Sequence, residues 1–163
     1  MPASPDAANQ QARQLGAHDL DRVIAIDSAH VGRNRRHFFE KRMAAARLSP
    51  HDFIQIGVMQ DGSLCGFAIA RVHRGEFGRE HASALIDAVG VDPQSQQRGV
   101  GQCLMQELAG TARAMGVGTL HSQVAWQDQD LLGFFHASGF ELAPRLSLER
   151  PVSARLDEPS EEI

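Results

Sequence analysis

Apolar residues between His18 and His30, namely Leu20, Val23, Ile24 and Ile26, recur at mostly helical spacing behind Asp19, a candidate cap, and predict a first helix. After the break Val31-Gly32-Arg33-Asn34, the stretch Arg35 to Leu48 puts Phe39, Met43 and Ala46 on one helical face and stops before Ser49-Pro50. Phe53 to Met59 then reads as a strand, Asp61-Gly62 as a hairpin turn, and Leu64 to Val72 as the returning strand. His73 to Glu80 carries alternating charges with Gly75 and Gly78 and reads as a loop. Ala84 to Val91 is a third apolar strand. A polar, glycine-bearing turn follows Asp92-Pro93, and Val100, Leu104, Leu108, Ala112 and Met115 mark a helix that Gly116 and Gly118 stop. Thr119 to Trp126 is expected to be a strand, Asp128 to Ala137 a short helix ended by Gly139, and Phe140 to Glu149 a final strand or strand pair around Pro144.

Both ends lack apolar anchors. Residues 1–11 are expected to be disordered, with the fold beginning near Arg13, and 152–163 to form a disordered acidic tail around one domain at 12–151. Strands alternating with helices in the second half predict an α/β fold, a mixed sheet with helices on both faces.

Composition narrows the function. With 163 residues, the chain suits one domain with a real core. Its 16 basic against 20 acidic side chains provide no broad cationic face for nucleic acid. Cys65 and Cys103 lie in apolar segments outside any metal-ligand spacing, so reduced thiols and no metal are expected. No apolar run approaches the ~20 residues that span a bilayer, and no charged-then-apolar leader precedes the fold, so a cytoplasmic location without a membrane partner is expected.

The informative motif is Gln96-Gln97-Arg98-Gly99-Val100-Gly101, placed between a strand end and an amphipathic helix. Glycine lets backbone approach a ligand, and the first N–H groups of a helix have no internal partners, so an anion can satisfy them. Leu104 stands where a dinucleotide fingerprint needs its third glycine, and the Gly-Lys-Ser/Thr ending of an NTP loop is missing. A tight turn whose glycines only permit packing is the competing account.

The Gln-x-x-Gly-x-Gly pattern resembles that of the GNAT superfamily of N-acetyltransferases. Val89-Gly90-Val91-Asp92-Pro93 looks like the family's fourth strand, and Asp128 to Phe140 looks like its later Asn-x-x-Ala-x-x-x-Tyr-x-x-x-Gly-Phe segment. The likeness covers about Arg13 to Arg150. It implies a mostly antiparallel sheet with one parallel, splayed strand pair at a coenzyme cleft. It further implies acetyl-CoA as co-substrate, its pantetheine arm along Val89, Gly90 and Val91. The pyrophosphate would lie on the loop from Gln96 to Gln102, with Asp128 a further coenzyme contact. The implied reaction is acetyl transfer to a primary amine, on a small molecule or a protein, by direct attack. A homodimer is left open.

The chain departs from the pattern. Many relatives protonate the departing thiolate with a tyrosine, whose position falls on Phe135, and the chain has no tyrosine. Asp128 replaces the pattern's asparagine, and Leu131 its alanine. A thiol with a pKa of about 8.5 leaves readily near neutral pH, whereas an amine at about 10.4 is neutral in only about one molecule in a thousand at pH 7.4. A base therefore matters more than an acid. Strand alternation from Val89 and Val91 puts Asp87 on their face as the candidate base, against an ion pair with Arg71 or Arg98, with His121 and His136 as alternatives. Arg33, in the glycine-containing connection, is the candidate acceptor contact, and Trp126 and Phe134 are expected to be core aromatics. The loss of tyrosine keeps a second class in view, a catalytically weak acyl-CoA-binding or regulatory module.

Overall fold

The computed structural model describes residues 9–152. Strand β1 (Gln10–Gln14) precedes helices α1 (Leu20–Val31) and α2 (Arg36–Leu48) and the hairpin β2 (Phe53–Gln60) and β3 (Ser63–His73). Strand β4 (Ala82–Val91), helix α3 (Val100–Ala114), strand β5 (Val117–His121) and helix α4 (Gln129–Ala137) follow. The strands lie in the sheet in chain order, antiparallel except for the parallel pair β4 and β5.

Strand alternation feeds a core on each face. Ala68, Ala70, Ala84 and Ile86 meet Val100, Leu104 and Leu108 of α3 and Phe135 of α4. Phe67, Ile69 and Ala88 meet Val23 and Ile26 of α1 and Phe39 and Met43 of α2, with Phe39 set edge-on to Phe67 at 5.6 Å between centroids. Ile86 and Ala88 are two residues apart yet face opposite cores. The register explains it: Ile69 pairs with Ala88 and Ala70 with Ile86, which leaves Asp87 as the extra residue of a β-bulge.

The parallel pairing joins only Ala82–Leu85 to Val117–His121. Beyond Leu85, β4 runs on to Val91 against β3 alone, so the two parallel strands part there.

The structure corrects four expectations. Ordered chain begins before Arg13, because Gln10 and Gln11 already pair with Gln60 and Met59 in β1. That strand has little apolar content of its own and depends on ladder bonds to β2, a tertiary effect that overrides local composition. The strand expected at Thr119 to Trp126 ends at His121, and Trp126 is 84% exposed rather than core. The final strand or strand pair at Phe140 to Glu149 does not form: 140–152 has no regular structure, and Leu146 and Leu148 are exposed. Alternation makes a strand only where a neighbouring strand takes up its backbone groups. Finally, Asp19 does not cap α1 through its side chain. Its buried carboxylate instead accepts from both Nη atoms of Arg13 (2.7 and 2.8 Å) and from the Gly16 N–H (2.8 Å). The disorder expected for residues 1–8 and 153–163 falls outside the described residues.

The Arg13 guanidinium holds the Asp19 carboxyl below the usual carboxylate range, so this pair ties β1 to the start of α1. Because the native pKa is depressed, its stabilisation is present above the unfolded value and lost as pH falls through the native one. Arg13→Met is expected to cost about 1–3 kcal/mol at pH 7, the partial exposure of Arg13 reducing the figure for a fully buried pair. Urea unfolding at pH 7 and pH 3 checks it, with a smaller difference at pH 3.

Candidate functional site

The loop between β4 and α3 is built on backbone bonds. The Asp92 N–H donates to the Cys65 carbonyl (2.8 Å). The Asp92 carboxylate accepts from the Gln94 N–H (3.0 Å) and from Arg22, and these contacts, the backbone one first, hold its pKa down. A 3-10 turn at Pro93–Ser95 follows, and the exposed Gln96, Gln97 and Arg98 lead to α3. Gln97 and Gly99 both have left-handed backbone, φ 63° and 82°. Gln10 of β1 reaches across to donate to the Arg98 carbonyl (2.7 Å), an anchor that the sequence did not reveal.

Helix α3 is uncapped. Gly99, its N-cap, offers no side chain, and no acidic residue lies in the first turn. The Cys103 N–H donates to the Gly99 carbonyl at 2.9 Å, so Val100, Gly101 and Gln102 carry the amides without intrahelical acceptors. The helix dipole adds partial positive charge at the same place. The two glycines do different work. Gly99 supplies a conformation that L-residues rarely adopt, whereas a Cβ on Gly101 would come 2.6 Å from the Phe134 ring, so Gly101 lets α3 pack on α4.

Val89, Gly90 and Val91 lie on the part of β4 that has left β5, so β5 does not take up the backbone groups on that edge. A Cβ on Gly90 would come 2.9 Å from the Phe67 ring, so this glycine serves packing against the α1 core. His30, which sequence reasoning did not single out, donates through Nε2 to the Val91 carbonyl (2.6 Å) and joins α1 to the strand end.

Asp87 does not share the face of Val89 and Val91. The bulge turns it toward α2, where Arg71 donates to both carboxylate oxygens (Nε 2.8 Å, Nη2 3.1 Å). Arg42 Nε sits 2.9 Å from Oδ2 without hydrogen-bond alignment. With its side chain 7% exposed and two guanidinium groups on it, this carboxylate is an ion-pair centre, with Arg42 where Arg98 had been considered.

The remaining candidates are dispersed. Phe135 is 5% exposed and packs against Phe134 and Phe140, at 5.4 and 4.8 Å between centroids. Asp128 caps α4, accepting from the Leu131 N–H (3.1 Å). Arg33 is exposed just after Gly32, whose left-handed backbone ends α1. His136 is exposed, and Phe134 packs at the edge of the α3 core. His121 is half-buried at the last position of β5, paired with Leu85 where the strands part. Burial pushes its imidazole pKa down, and the nearby Arg145, Arg79 and His73 push the same way. The shift favours the neutral imidazole.

A sheet with one splayed parallel pair, and an uncapped helix N-terminus beyond the freed strand, define an acyltransferase-type fold. The model of the acetyltransferase (GNAT) family matches residues 11–140, and the chain belongs to that family. Among solved structures, it is similar to a transcriptional regulator from Bacillus halodurans C-125 (16% identity, 88% of this chain and 99% of that one, TM-score 0.74). It is also similar to the aminoglycoside N-acetyltransferase AAC(6')-Iy in complex with CoA (18%, 87% and 94%, TM-score 0.73). A third likeness is to the ribosomal-protein-S18-alanine N-acetyltransferase from Escherichia coli (21%, 82% and 79%, TM-score 0.67). No curated protein matches the chain. At these identities the likenesses define the fold and leave the acceptor unassigned. Among the described residues no helix is long and apolar enough to cross a membrane.

Two substitutions test the side chains around the cleft. Asp87→Asn leaves Arg71 and Arg42 without their counter-charge and is expected to cost about 1–3 kcal/mol of stability. Any loss of turnover should be the same at every pH, whereas a base would give a defect that shrinks as pH rises and the amine deprotonates; a pH–rate profile beside thermal unfolding separates the two. Phe135→Tyr places a hydroxyl among Phe134 and Phe140 and is expected to cost about 1–3 kcal/mol without raising turnover, read by denaturation and a thiol-release assay.

Proposed function

We propose that this chain is an acyl-CoA-dependent N-acyltransferase that moves an acetyl group from acetyl-CoA to a primary amine. The observation that carries the reading is the uncapped N-terminus of α3, with three amides lacking intrahelical acceptors, placed just beyond the strand edge freed by the departure of β5. A pyrophosphate satisfies those amides and meets the positive end of the helix dipole. The backbone of Val89, Gly90 and Val91 offers the pantetheine amides a strand to pair with.

In this reading the amine nitrogen attacks the thioester carbonyl carbon, a C–N bond forms, the C–S bond breaks, and the coenzyme leaves as a thiolate that takes its proton from water. Freed N–H groups on the β4 edge stabilise the oxyanion. The amine gives up one proton, and His121 is the group that accepts it. It ends β5 where the strands part, and its Nε2, 3.5 Å from the donor Nη1 of Arg79, is the nitrogen without a proton, whereas the Asp87 carboxylate is engaged by two arginines. Phe135 supplies no proton, so the reaction relies on the low basicity of the thiolate.

A binding or regulatory module remains the second reading, favoured by the same apolar residue at the acid position. A thiol-release assay over an amine panel separates the two: turnover identifies the enzyme, and tight acetyl-CoA binding without turnover identifies the module. The pyrophosphate site has its own test. Gly99 has φ 82° and open space around its Cβ position, so Gly99→Val strains the loop without a core collision. It is expected to weaken acetyl-CoA binding at least tenfold, about 1.4 kcal/mol, in calorimetry on folded protein; unchanged affinity rejects the site.

A further inference from the structure

Phe53, Arg71, Leu85 and His121 stand in one row across β2, β3, β4 and β5. Neighbouring strands are about 4.8 Å apart, so the backbones of Arg71 and His121 lie about 10 Å from one another across Leu85. Partners in a ladder share a face, and Arg71, held to Asp87 and close to Arg42 of α2, shows that this is the face opposite α3. Arg79, half-buried in the loop before β4, brings Nη1 to 3.5 Å from His121 Nε2. Arg145 and His73 also lie close enough to act on that imidazole.

The carboxylates do not match these cations. Asp87 is taken by Arg71 and Arg42, while Glu76 sits on His73 (3.2 Å) and Asp52 on Arg74 (3.2 Å) at the exposed rim. Among the described residues, Arg79 and Arg145 have no carboxylate within ion-pair distance. The excess is local, since the chain as a whole carries a net charge of −4. A half-buried guanidinium that faces an imidazole rather than an acid, near the point where the parallel strands part, keeps charge and N–H donors available for an anionic ligand.

We propose that the acceptor amine also carries an anionic group, a carboxylate or a phosphate, and that Arg79 holds this group beside His121 at the end of β5. The inference rests on the transferase reading and names its substrate class. A guanidinium fork suits the planar or tetrahedral oxygens of such a group, and the same face repels polycationic amines. It leaves one amine of the acceptor at the splay, next to the imidazole.

Matched pairs test it: β-alanine against its amide, phosphoethanolamine against ethanolamine, and cadaverine as the cationic control. The anionic member of at least one pair should show a kcat/KM at least tenfold higher, and which pair responds distinguishes carboxylate from phosphate. Arg79→Gln should erase that preference by raising KM for the anionic member alone, and Arg79→Lys should restore part of it. Calorimetry on CoA-saturated protein reads the same preference without turnover, so failure of the transferase reading stays separable from failure of this one. Equal treatment of both members in both pairs, preference for cadaverine, or an Arg79→Gln variant whose only defect is weaker acetyl-CoA binding would overturn the proposal. Should that variant fold poorly, the wild-type binding preference decides alone.

Discussion

The departure of β4 from β5 after Leu85 is the constraint on which the rest of the architecture turns. Four residues of parallel pairing hold the strands together at one end, and the extra residue at Asp87 redirects β4 at the other. Without the bulge, Ile86 and Ala88 would face one core, and the α1 side would lose the Ala88 contact. With it, one strand serves both faces, its far edge stays unpaired, and its end delivers the chain to the N-terminus of α3. The cleft is thus a product of register rather than of any single side chain.

Charge pairing holds this geometry in place. Each strongly engaged aspartate ties one element to another: Asp19 to Arg13 of β1, Asp27 of α1 to Arg35 at 2.5 Å, Asp92 to Arg22 of α1, and Asp87 of β4 to Arg71 of β3 and Arg42 of α2. Arg35 also stacks over Phe38 and Phe39, at 5.1 and 5.5 Å from the ring centroids, so the α1–α2 connection is fixed by stacking as well as by charge. Such pairs add less to stability than to specificity of arrangement. Asp87 is taken up in this way by Arg71 and Arg42, and Arg79 has His121 rather than an acid beside it.

Much of this was legible in the sequence, and the omissions have physical causes. Apolar spacing located α1, α2, the hairpin, β4 and α3 to within a few residues, because each buries a stripe or face with its own periodicity. The Gly99 turn was legible because a left-handed N-cap leaves glycine in the chain. β1 was not, since Gln10 to Gln14 acquires its strand from β2 rather than from side-chain burial. The face of Asp87 was misread for a similar reason: strict alternation holds only while the ladder is regular, and the bulge at Asp87 inverts the inference. The Arg79 and His121 juxtaposition depends on a parallel pairing between distant segments, which no local pattern announces.

The missing tyrosine acquires a physical reading from this surface. In the proposed reaction the acid would serve a thiolate of pKa about 8.5, while the harder step is to neutralise an amine near 10.4. A cation-rich face acts on both. Positive potential lowers the amine's pKa, which enlarges its reactive neutral fraction, and it stabilises the negative charge that develops on oxygen and sulfur. Burial first, and the nearby Arg145, Arg79 and His73 after it, push the His121 pKa down, which favours the neutral imidazole that the proposed reaction needs. A phenol at the Phe135 position would stand among Phe134 and Phe140 on the α3 side of the sheet, away from the face that carries Arg79 and His121, so its hydroxyl would carry a desolvation cost. In the proposed reaction, then, backbone N–H groups on the β4 edge and the low basicity of the thiolate stand in for a proton-donating phenol.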